Sequence, residues 1–194
     1  MIQAEIDKKK QQLTVSKEII YPYIYMDTVR ITEIILNLMS NSIKYTNDGG
    51  WIHCAISQEE DEREGWCIQE LTVSDNGIGM TREFQKHIYE SFTRERSSTA
   101  SGIAGTGLGM GIVKKLVDMM DGTIDLQSKV GEGTTFRVRI PCRIATQEDT
   151  QPKTDENIGN LEDLKGIRIL LAEDNDLNAE IAVTLLSEVG FMVE

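Results

Sequence analysis

The spacing of apolar residues changes several times along the chain, and each change marks an element. Residues 1–11 read as a short charged helix end, and QLTVSKEI then alternates like a half-buried strand. Asp27 is placed as the N-cap of a helix from about Thr28 to Tyr45, which Asn47-Asp48-Gly49-Gly50 should stop with residues that tolerate left-handed backbone. Two strands follow, WIHCAISQ and WCIQELTVSD, joined by the acidic turn EEDEREG. Residues 82–91 read as a helix, and TRERSSTASGIAG as a small, polar, glycine-dotted loop. A second long helix is expected from Gly107 to Met120, with Leu108, Ile112, Leu116 and Met119/Met120 on its apolar side. GTIDLQS and TTFRVRIP alternate around KVGEG as a hairpin.

After Pro141 the pattern fades. Residues 144–163 carry six acidic side chains, one lysine and one proline, and read as a solvated linker. Order returns with IRILLAEDN as a strand and NAEIAVTLLSEVGF as an amphipathic helix, and Phe191-Met192-Val193 begins another strand. One strand and one helix cannot bury a core of their own. The expected organisation is therefore a domain over 1–143, a linker over 144–163, and over 164–194 the truncated start of a second domain or an appendage.

Charge and composition narrow the function. A net charge of −12 argues against nucleic acid as a partner, because phosphates attract basic surfaces. With 40% hydrophobic residues, no long apolar run and a polar start, the chain reads as soluble. Cys54, Cys67 and Cys142 match neither zinc spacing nor a disulfide framework, and read as reduced thiols.

Four clusters carry candidate chemistry. On the helix ITEIILNLMSNSIKYT, residues Asn37, Asn41, Lys44 and Tyr45 share an arc of about 100°. Ile35, Leu36, Met39 and Ile43 lie on its other sides. Polar groups on a buried helix need partners, either neighbouring backbone or a ligand. An Asn oxygen suits Mg²⁺, and a lysine suits phosphate. Next comes Asp75-Asn76-Gly77-Ile78-Gly79, where an acid at a strand end could read an exocyclic amine such as adenine's. Taken alone it is equally a strand-to-helix turn. Third, Gly105-Thr106-Gly107-Leu108-Gly109 opens a helix and exposes backbone N–H groups to an anion, though it follows no strand as a dinucleotide fold requires. Last, Gly131-Glu132-Gly133-Thr134 taken alone is a glycine-rich turn.

Their order decides among these readings. The set NLMSNSIKYT, DNGIGM, IYESFTR, GTGLGMGI and GEGT resembles the N box, first glycine box, F box, second and third glycine boxes of the catalytic ATP-binding domain of sensor histidine kinases. The resemblance spans residues 12–141. It implies the Bergerat fold, a two-layer α/β sandwich with a mixed sheet covered on one face by helices, and implies ATP and Mg²⁺ as cofactors. By position, Asn41 would coordinate Mg²⁺ with Asn37 assisting, Lys44 and Arg94 would contact phosphate, and Tyr45 would lie along the nucleotide. Asp75 would bind the adenine amine, supported by Gly77, Gly79, Met80 and Thr134. Gly105, Thr106, Gly107, Leu108 and Gly109 would present backbone to phosphates, and 93–104 would form a lid. Gly111 stands where relatives often carry Ser or Ala.

The resemblance also separates two activities. ATP-hydrolysing relatives carry a Glu four residues before the metal-binding Asn; here that residue is Asn37, an amide that accepts no proton. Glu33 lies a further turn back. Slow hydrolysis and transfer to a histidine on a missing dimerisation domain are expected. His53 and His87 lie outside the family's acceptor setting and read as structural or surface residues. IRILLAEDNDLNAEIAVTLL resembles the opening of a response-regulator receiver domain, with Glu173 and Asp174 as its paired acids, so the parent would be a hybrid kinase with a receiver domain as downstream acceptor. The expected fragment is monomeric and cytoplasmic, from a parent that could be membrane-anchored.

Overall fold

The computed structural model describes residues 2–90, 107–150, 165–172 and 176–193. The chain divides into two compact units, Met1–Thr150 and Gln151–Glu194.

In the first unit, helix α1 (Ile2–Lys9) leads into strand β1 (Gln12–Glu18), and a short β2 (Ile24–Tyr25) precedes α2 (Thr28–Tyr45). Strands β3 (Trp51–Glu60) and β4 (Trp66–Asp75) follow, then α3 (Arg82–His87), α4 (Gly109–Met119), and the hairpin β5 (Thr123–Lys129) and β6 (Gly133–Ile144). The strands lie in the order β1-β3-β4-β6, with β5 and β2 side by side along the far edge of β6. Among the described strands of this sheet, only β1 with β3 is parallel. The sheet is therefore mixed, and the architecture is the expected two-layer sandwich.

Burial alternates along β4: Cys67, Gln69, Leu71, Val73 and Asp75 face the helices, with the residues between them half-exposed. The same face of β6 buries Phe136, Val138, Ile140 and Cys142. Against them α2 packs Ile34, Leu38, Met39 and Ile43, and α4 packs Met110, Val113 and Val117. The opposite face carries ion pairs of Glu59 and Glu70 with Arg137 and Arg139. Pro141 interrupts nothing. It lies in β6 between the last residue paired with β5, Arg139, and the first paired with β2, Arg143, where no strand needs its absent N–H.

Five expectations change. β1 is an edge strand, paired among the described strands with β3 alone, with Leu13 only half-buried and Val15 66% exposed. On α2, Leu36 is 49% exposed, while Ile34, Leu38 and Ile43 are the residues fully inside. On α4, Ile112 and Met119 are exposed and the buried face is centred on Met110, Val113 and Val117. Steps of four residues from Leu108 drift about 40° each, which carries the count off the packed side. Finally, α3 stops at His87, short of the expected 91, and α2 ends at Tyr45 as expected but without a left-handed cap, since Thr46 is extended at φ −82 and ψ 134. The Asp27 cap is as expected, its carboxylate accepting from the N–H groups of Val29 and Arg30 at 3.1 and 3.0 Å.

The second unit is a parallel pair, β7 (Arg168–Ile169) and β8 (Met192–Val193), joined through α5 (Asp176–Val189). No helix among the described residues is long and apolar enough to cross a membrane.

Candidate functional site

Three segments meet where β4 ends: the last turns of α2, the turn 75–80 and the β5–β6 hairpin. Asp75 sits at their junction, 7% exposed. Ser42 donates its hydroxyl to Asp75 Oδ2 at 2.8 Å, and the Gly77 N–H donates to Oδ1 at 2.9 Å. Thr134, directly opposite in register, adds a backbone N–H bond. Burial raises the Asp75 pKa, and these three bonds oppose the rise. A carboxylate with three fixed donors still has acceptor capacity for a fourth.

The turn after Asp75 is built around absent side chains. A Cβ on Gly77 would lie 2.5 Å from the Tyr45 carbonyl oxygen. Gly79 has φ +64, and a Cβ there would come within 1.9 Å of the Lys129 carbonyl oxygen. Gly133, at φ +104, would meet the Asp75 carbonyl oxygen at 1.9 Å. Backbone bonds bind the three segments: Ile78 N–H to Tyr45 O at 3.1 Å and Gly131 N–H to Ile78 O at 2.8 Å. Met80 is half-buried against the core, and its carbonyl accepts from Gln85 Nε2 at 2.9 Å. The Thr134 hydroxyl lies 3.0 Å from that of Ser128.

The N-terminus of α4 opens beside the polar stripe of α2. A Cβ on Gly109 would lie 2.6 Å from Asn37 Oδ1. Asn41 Nδ2 points to Met110 Sδ at 3.3 Å, which turns its oxygen the other way. Gly107 takes φ +72, and Leu108, the N-cap residue, supplies no side-chain cap. Asn37 itself donates from Nδ2 to the Glu33 carbonyl at 2.9 Å. The Lys44 ammonium lies 4.9 Å from the centre of the Tyr45 ring. Arg94, Gly105 and Thr106 lie outside the described residues, as do the loop 93–104, Glu173 and Asp174.

Residues 26–144 match the family of histidine kinase-, DNA gyrase B- and HSP90-like ATPases. The chain belongs to this family. Among curated relatives, it is 34% identical to the autoinducer 2 sensor kinase/phosphatase LuxQ of Vibrio vulnificus over 175 residues, covering 88% of this chain and 20% of LuxQ. It is 32% identical over 167 residues to the circadian input-output histidine kinase CikA of Synechococcus elongatus, covering 86% of this chain and 21% of CikA. The chain thus spans about one fifth of the length of the curated relatives it matches. Among solved structures, the mycobacterial sensor histidine kinase MprB superposes with a TM-score of 0.57 at 22% identity, over 74% of this chain and 95% of that one. Full-length ShkA in complex with AMPPNP gives a TM-score of 0.60 at 20% identity, over 99% of this chain and 36% of that one. At such identities the likeness is one of fold.

Within this family site, sequence reasoning missed Ser42. It lies about 140° around α2 from Asn37, outside the polar stripe. Its burial at 2% is the signal, since a buried hydroxyl on a core helix needs a partner. Lys9 and Gln11, which bond to the end of α2, were also missed. Both histidines stand away from this junction. His53 bonds to the Thr14 hydroxyl at 2.8 Å across the sheet edge, and His87 pairs with Glu90 at the surface. The three cysteines are free and buried. Burial pushes the Cys142 thiol up to about 11, which keeps it protonated.

Proposed function

We propose that this domain binds Mg²⁺-ATP and presents the γ-phosphoryl group to a histidine on a separate dimerisation domain, as one step of a phosphorelay. The observation that carries the reading is one helix, α2, which bonds a buried, donor-held carboxylate, Asp75, through Ser42 and sets Asn37 and Asn41 beside the uncapped N-terminus of α4. Asp75 accepts the adenine amine, with Gly77, Gly79, Met80 and Thr134 shaping the floor. Tyr45 lies along the nucleotide and Lys44 meets its phosphates. The N–H groups at Gly107–Gly109 receive phosphate oxygens, as helix N-termini do. Gly105, Thr106 and Arg94 take the same task by resemblance alone.

The donor set fits magnesium. The Asn41 amide nitrogen is turned to Met110, so its oxygen is the atom left to a hard cation. Mg²⁺ takes few protein ligands and completes its shell with phosphate and water. Bound there, the ion neutralises charge on the phosphates.

Transfer rather than hydrolysis follows from Asn37. Its amide is engaged with the Glu33 carbonyl and offers no base to orient water. Phosphoryl transfer itself asks chiefly for positioning and charge neutralisation. We further propose that 164–194 opens a receiver domain, in line with the β7–α5–β8 parallel crossover, within a longer hybrid kinase. This chain then acts as a monomeric cytoplasmic module.

The test mixes the chain with labelled ATP, alone and with a histidine-bearing dimerisation domain from a related kinase. Acid-labile label on the partner, with slow phosphate release by the chain alone, is expected. Phosphate release without the partner at the pace of a dedicated ATPase sinks the kinase reading. Nucleotide affinity unchanged by Asn41→Asp means the site is misplaced.

A further inference from the structure

The last turn of α2 carries Lys44 and Tyr45, yet no glycine folds the chain back to cap it. A helix leaves its final carbonyls without partners inside the helix. Here they are taken from two directions. Lys9 Nζ donates to the carbonyls of Ile43, Lys44 and Thr46, each at 2.9 Å. Gln11 Nε2 donates to Ile43 O at 3.0 Å and Thr46 O at 2.8 Å. The carbonyl left between them, Tyr45 O, receives the N–H of Ile78 from the turn beneath Asp75 at 3.1 Å.

An ammonium has three N–H donors, and all three are used here. The positive charge also stands at the negative end of the helix dipole. The junction is held at the backbone too, where the Gly49 N–H donates to Lys9 O at 2.9 Å. Gln11 is 7% exposed, so its two bonds form with little competition from water.

We infer that Lys9 is a positioning residue for the nucleotide pocket. With Gln11 it fixes the last turn of α2, and so sets Lys44, Tyr45 and the carbonyl that anchors the Asp75–Gly79 turn. The pocket thus depends on where α1 lies. This rests on the nucleotide reading of the site.

The experiment titrates Mg²⁺-ATP by calorimetry into the chain and its variants, well below every unfolding midpoint. Lys9→Met keeps the aliphatic stem and removes the donors. Its affinity should fall about tenfold, the scale of losing charge-assisted bonds that hold a binding turn. Lys9→Gln retains an amide donor and should fall between it and the wild type. A Lys9→Cys variant, aminoethylated on the new thiol while the three buried cysteines stay protected, restores an ammonium and should recover most of the affinity. A purely structural role would lower the midpoint while leaving the affinity of the folded protein unchanged. Lys9→Met binding within twofold of wild type overturns the inference; should that variant fail to fold, wild-type affinity in Lys9→Gln does so. No ATP binding by the wild type overturns the nucleotide reading itself, and the role of Lys9 with it.

Discussion

Asp75 is held between two opposed demands. In the role proposed for it the carboxylate must stay charged to accept an amine strongly, yet it lies almost out of water. Burial therefore holds its pKa above the ordinary 3.8, against the bonds from Gly77, Ser42 and Thr134. A carboxyl raised on folding contributes stability that is complete below its unfolded pKa and is lost as pH climbs through the folded one. Asp75→Asn removes that dependence. Its melting midpoint, taken as the difference from wild type, should move in the variant's favour as pH rises above the ordinary 3.8. Thermal melts from below that value upward check the sign, and a flat difference means the carboxyl is not strained. The same variant should bind ATP at least about tenfold more weakly, because a charge-assisted acceptor is worth roughly 1.5–3 kcal/mol. Asp75, Asn41 and Thr134 could be named from the sequence because a motif places each at a fixed offset, and the structure pairs Asp75 with Thr134 in register. Ser42 was not, since its role comes from β4, 33 residues away.

At the scale of an element, the start of α4 shows how packing redirects a propensity. Gly to Ala inside a helix is ordinarily stabilising by roughly 0.5–1 kcal/mol, and less at the first position. At Gly109 the added methyl would meet Asn37 Oδ1 at 2.6 Å, the free end of a side chain that can swing away. Gly109→Ala should therefore leave the unfolding midpoint within about 2 °C of wild type, a change below about 1 kcal/mol. It should weaken Mg²⁺-nucleotide binding severalfold, because the displaced group belongs to the proposed site. Parallel melts and titrations decide it: a large loss of stability with intact affinity refutes the argument. Gly133 is the contrast. Its obstacle is the Asp75 backbone at 1.9 Å and its φ is +104, so alanine there should cost the fold itself. Most described elements of the first unit were readable from periodicity, though the two-residue β2 was not. Which face each helix buries was not, because the long apolar arc of α4 meets both the sheet and α2. The end of α2 at Tyr45 was legible, but what holds it was not: its last carbonyls are taken by Lys9 and Gln11, in a run of lysines that reads as solvated surface.

At the scale of the whole chain, the two units differ in whether their apolar surface has anywhere to go. In the first, Ile34, Leu38, Ile43, Ile52, Val73, Val113, Val117 and Val138 are essentially sealed, and every one packs against others of the same unit. In the second, two short strands and one helix leave Leu170 84%, Leu185 58% and Ile181 49% exposed. A two-stranded pair with one helix buries too little to offset the entropy of ordering it. The cooperative transition of this chain should therefore belong to residues 1–150 alone. Ending the chain after Thr150 should keep the midpoint within about 2 °C and the ATP affinity within about twofold, since coupling below about 1 kcal/mol moves neither further. In the intact chain, amide exchange should be fast throughout α5 and slow in β4 and β6, because local opening follows the density of buried apolar contacts. Protection of α5 comparable to β4 would mean that the second unit gains a core which its own residues do not supply.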